Sequence, residues 1–75
     1  MKLMDFKIRL EYYKIYLSDA QLRIAHFRFN TLSNDLNYDL FDKLCDKNKC
    51  LVDIFVNSLV NNDTNKINYI INSLI

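Results

Sequence analysis

Seventy-five residues can build one hydrophobic core but not two, and a chain this short hides only about 60% of the surface its unfolded form exposes. Ten Lys and Arg against nine Asp and Glu leave a net charge of +1. That excludes both the strongly basic profile of a general nucleic-acid binder and an acidic solvating tail. Apolar residues reach 51%, too many for intrinsic disorder.

No apolar run approaches the roughly 18 residues of a membrane span. Asp5, Lys7, Arg9 and Glu11 break up the stretch where the apolar part of a secretory leader would lie. The expected location is therefore the cytosol, the host's if the chain is viral, where Cys45 and Cys50 stay thiols. With His26 as the single histidine, these two cysteines fall short of the four ligands of a structural zinc site. Gly and Pro are both absent, which removes glycine-rich phosphate loops, dinucleotide fingerprints and nucleophile elbows. Tight β-hairpins also become unfavourable, because their turns favour Gly. Ten Asn and eight Ile against two Ala point to A/T-rich codons, the bias of many viruses, phages, plasmids and some parasites.

In chain order, the first thirty residues read two ways. Met4, Phe6, Ile8, Leu10 and Tyr12 alternate with Asp5, Lys7, Arg9 and Glu11, a half-buried strand at period two. At helical period, Leu3, Phe6, Leu10, Tyr13 and Leu17 form one seam, and Met4, Ile8, Tyr12 and Ile15 form a second on the opposite side. The boundary after Leu17 decides for helix. Ser18-Asp19-Ala20-Gln21 matches a capping box, Leu17 and Leu22 are spaced for a hydrophobic staple, and Asp19 suits the positive end of the helix dipole. Helices are therefore expected over residues 3–17 and from Ser18 onward, with a hairpin of residues 4–17 and 21–30 as the alternative.

Ser33, Asn34 and Asp35 supply N-cap chemistry for a third helix carrying Leu36, Leu40 and Leu44 at every fourth position, with Phe41 and Cys45 beside them. Lys47-Asn48-Lys49 interrupts it, Asn48 being the available left-handed cap where Gly is missing. From Cys50 to Val60 a fourth helix is apolar nearly all round, with Asp53 and Asn57 as its narrow polar stripe; such a helix belongs inside a core or a subunit interface. Asn61, Asn62, Asp63 and Thr64 form a break. Ile67, Ile70, Ile71 and Leu74 then make one clean apolar face. The fold expected is all-α, a bundle of about five short helices forming a single domain over residues 1–75.

The leucine-spaced helix, the Lys-Asn-Lys turn and Val52-Asp53-Ile54-Phe55-Val56-Asn57-Ser58-Leu59 together resemble the helix pair of ribbon-helix-helix repressors. In that family the Asn48 position is usually Gly, and a strand before the first helix pairs with a dimer mate to read the major groove. Here the segment ending near Asn30, which should be that strand, is out of register with the following helix. The resemblance covers about a third of the chain and implies no site residues.

His26 lacks a recognisable nucleophile and orienting carboxylate. On a helix it shares a polar face with Arg23 and Asn30, so a solvent-facing histidine is expected. Asp39, Asp42 and Asp46 make a carboxylate stripe without the central Gly of a calcium loop, hence a solvated face. Residues 1–30 carry a net +3 and residues 31–75 a net −2, a polarity able to guide self-association. Tyr12, Tyr13 and Tyr16 cluster near Phe6, with Phe27 and Phe29 soon after, and aromatic residues are favoured at protein interfaces. So much apolar area exceeds what a small core hides, leaving a patch for a partner. The expectation is a non-enzymatic interaction or regulatory protein of a virus or mobile element, binding a protein partner or a second copy through Tyr12, Tyr13, Tyr16, Arg23, His26 and Arg28. No cofactor, metal, small-molecule substrate or membrane is called for. The alternative is a dimeric DNA-binding transcriptional regulator using the basic N-terminal part, with Arg23, His26 and Arg28 on phosphates and bases.

Overall fold

The computed structural model describes residues 1–32, 37–47 and 49–74, with the side chains of Asn37, Tyr38, Leu40 and Lys47 left out. Five helices make up its regular structure: α1 (Leu3–Tyr12), α2 (Asp19–Leu32), α3 (Asn37–Lys47), α4 (Lys49–Asn61) and α5 (Thr64–Leu74). No strand occurs among the described residues, so the alternative hairpin over residues 4–30 is not formed. The segment that would supply the strand of a ribbon-helix-helix protein is helix α2. The expected caps at Ser33, Asn34, Asp35 and Asn48, and Leu36 with them, lie outside the described residues.

Helix α2 starts as its capping box dictates. The Gln21 amide donates to Ser18 Oγ at 3.3 Å, and the Ser18 amide donates to Gln21 Oε1 at 3.2 Å. These two bonds satisfy donors that the first turn of a helix otherwise leaves open. Leu17 is partly buried against the core cluster to which Leu22 belongs.

Helix α1 is shorter than expected. It stops at Tyr12 rather than running to Leu17, because Lys14 takes a left-handed conformation with φ 59°. The Ile15 amide then donates to the Leu10 carbonyl at 2.9 Å and the Lys14 amide to the Glu11 carbonyl at 2.9 Å. This is the Schellman pair of bonds, normally built around Gly. Helix α4 ends the same way on Asn62, φ 57°, with the Asp63 amide donating to the Ser58 carbonyl at 2.9 Å. A chain without Gly thus places Lys and Asn where Gly is favoured, and Asn carries the smaller penalty. Asp63 next caps α5, accepting from the Lys66 amide at 3.2 Å.

One Phe from each of the first four helices meets at the centre. Phe6, Phe29, Phe41 and Phe55 are fully buried. Phe29 lies edge-on to Phe41 and Phe55 and stacks on Phe6, with ring centres 5.6–6.0 Å apart. Helix α4 packs against α2, α3 and α5, the surroundings that its nearly continuous apolar surface requires. Its Asp53 and Asn57 are exposed. Its buried Ser58 donates to the Ile54 carbonyl at 2.7 Å, so no hydroxyl is stranded in the core. Helix α5 docks through Ile67 and Ile70, with Ile71 and Leu74 half-buried beside them.

Candidate functional site

The two seams of α1 meet different fates. Phe6 and Leu10 point into the core. A rotation of about 100° per residue puts Met4, Ile8 and Tyr12 on the opposite side. All three are solvent-facing, at 63%, 58% and 80% exposure. Lys7 and Glu11 are exposed along its flank, and beyond them Leu3, at the edge of the core-facing seam, also reaches solvent. Beyond the helix, the chain runs without regular structure to Ser18, and Tyr16 projects from it, also largely exposed. Helix α2 adds the exposed Ile24 and Phe27. Arg23 is exposed and shares a shallow groove of about 290 Å³ with Leu3, Met4, Lys7, Asp19 and Leu22. Of the six residues singled out from the sequence, the structure leaves Tyr12, Tyr16 and Arg23 open to a partner.

The other three are engaged within the chain. Tyr13 is half-buried, lies edge-on to Tyr12 at 5.1 Å and lines one groove with Cys45 of α3. The neighbouring Cys45 thiol, reinforced by burial, pushes the phenol up to about 12. Burial also raises the Cys45 thiol, with Asp42 and Asp46 adding to the effect, against the lowering influence of Tyr13 and Arg9. A raised thiol holds little thiolate, so Cys45 is poorly suited to nucleophilic work. These groups line an open groove of about 420 Å³ between the end of α1 and α3.

His26 is half-buried rather than solvent-facing, a correction to the sequence expectation. Its ring packs 5.8 Å from Phe6, and Nε2 lies 2.7 Å from the Met1 carbonyl. Asn30 completes the arrangement: its amide donates to the same carbonyl at 3.0 Å, and its Oδ1 accepts from the Met1 amino group at 3.1 Å. Arg28 is also half-buried, and Nη1 donates to the Leu59 and Val60 carbonyls at 2.6 and 2.8 Å. It thereby serves the last turn of α4, where a cation suits the negative end of the dipole.

Sequence pattern could not show these roles, because the partners lie 25 to 32 residues away in the chain. The one local hint was the second α1 seam, which needs a surface of its own. Asp39, Asp42 and Asp46 lie exposed on α3. Among the described residues, no three His, Cys, Asp or Glu side chains cluster as a metal site would require, and no helix is long and apolar enough to cross a membrane. No protein-family model, curated protein or solved structure matches the chain.

Proposed function

We propose that this chain is a non-enzymatic interaction protein that works by covering the outer face of α1 with another protein surface. The observation that carries this reading is the exposed row of Met4, Ile8 and Tyr12 on a helix whose other side already fills the core. Solvated apolar area of this kind lowers its free energy by about 25 cal/mol for each Å² that a partner removes from water. Tyr12 and Tyr16 add large rings that lose little conformational entropy when bound. Tyr16 and Arg23 form the border of the interface. The regulatory action expected of such a protein follows from occupying a partner's surface. A DNA-binding role draws no support from Arg28, whose Nη1 is spent on α4.

The test is a photo-reactive amino acid placed at Ile8, with Asn72 on α5 as the control position. In producing cells, illumination is expected to yield a protein adduct from position 8 and far less from position 72. Equal labelling at both positions, or none at position 8, overturns the reading.

A further inference from the structure

We infer that the occupant of the α1 face is a second copy of this chain, paired through an antiparallel α1–α1 contact with its two-fold axis at Ile8. The inference rests on the interaction reading above and names its partner. Met4, Ile8 and Tyr12 are evenly spaced about Ile8, so an antiparallel copy sets Met4 over the other copy's Tyr12 and Ile8 over itself. The Met–Tyr contacts are sulfur–aromatic pairs, which are favourable. The two-fold operation also brings each flank of the helix against the same flank of its copy. On one flank stand Lys7 and Glu11, both exposed. With a rise of 1.5 Å per residue, Lys7 falls about 3 Å along the axis from the other copy's Glu11, an attraction that the symmetry makes twice, against one repulsion between the two Lys7 side chains at the same spacing.

A parallel pair would instead set Lys7 and Glu11 against Asp5 and Arg9, which already have partners within their own chain. It would also align the helix dipoles unfavourably. Within a single helix, Lys preceding Glu by four residues is the weaker order of an ion pair, which leaves these two charges available across the contact. A ten-residue helix offers less than the roughly 800 Å² per partner of a standard interface. The dimer therefore belongs to the weak, concentration-dependent class.

The decisive experiment is a charge-swap series read by sedimentation equilibrium, with circular dichroism confirming that each variant stays helical. Lys7→Glu and Glu11→Lys each turn two attractions into repulsions and should weaken the dimer about tenfold. The double variant K7E/E11K should restore it, and so should mixing the two single variants. Ile8→Asp should give a monomer at every concentration. If the double swap is weaker than either single variant, or the single swaps change nothing, the antiparallel pairing is wrong. If the wild-type chain is monomeric throughout while the photo-reactive group at Ile8 still captures a different protein, this inference falls and the interaction reading survives. Loss of both self-association and capture removes both.

Discussion

Helices α4 and α1 both carry apolar residues on more than one side, yet the fold treats them differently. Helix α4 packs against α2, α3 and α5, and water reaches its two ends, the Asp53–Asn57 stripe and Ile54 beside that stripe. Helix α1 gives Phe6 and Leu10 to the core and leaves Met4, Ile8 and Tyr12 outside. The number of apolar seams on a helix states how many surfaces it needs. It does not say whether they come from the same chain. For α4 the chain supplies nearly all of them, with Ile54 left at the edge; for α1 it supplies one and leaves the other open to solvent.

The sharpest way to break this contrast is to compare one substitution in each helix. Phe55→Ala should cost about 3–5 kcal/mol of stability, because the cavity lies at the meeting point of the four-Phe cluster. Ile8→Asp should change unfolding stability by no more than about 0.5 kcal/mol when measured on the monomer. Denaturant titration of both variants checks the pair, and comparable losses would mean that the outer α1 face is structural.

The helix ends sharpen the contrast further. The last turn of α4 depends on a distant side chain, so Arg28→Ala should cost about 2 kcal/mol by freeing two carbonyls from a charged donor. The α1 end is closed locally by Lys14. Lys14→Gly should therefore stabilise the chain by about 1 kcal/mol in thermal unfolding, since Gly takes the left-handed conformation without strain. Asn62→Gly should gain less, because Asn already tolerates that conformation.

The smallest effect concerns Tyr13, just past the end of α1, and the neighbouring Cys45 of α3. The folded phenol is raised from 10.0 to about 12. Between these values the unfolded chain binds fewer protons than the folded one. The stability that the protonated Tyr13 phenol contributes is therefore full below pH 10 and is lost as pH rises towards 12. An ultraviolet phenolate titration should show a component near 12 that Tyr13→Phe removes. At neutral pH, alkylation of the half-buried Cys45 should lag behind that of the exposed Cys50.

Much of the architecture was legible before any coordinates. The capping box at Ser18, the central packing of residues 50–60, save the exposed Cys50 and Ile54, and the apolar face of Ile67, Ile70, Ile71 and Leu74 are all local patterns with their expected place in the fold. The early stop of α1 was not legible, because nothing in Tyr13-Lys14-Ile15 marks Lys14 for a left-handed turn when Gly is absent from the whole chain. Of the candidate site, the second α1 seam was visible as a period. The internal duties of Tyr13, His26 and Arg28 were not.

By itself, the sequence determined the helical class, the start of α2 at its Ser18 capping box and the fact that α1 has two apolar sides, since all three follow from spacing along a chain with 3.6 residues per turn. Tertiary structure alone decided which α1 side is covered and which polar residues are used up internally. Those outcomes turn on what lies across a gap in space, as Arg28 meets the α4 carbonyls and His26 meets Met1, and such distances are not written in the order of residues.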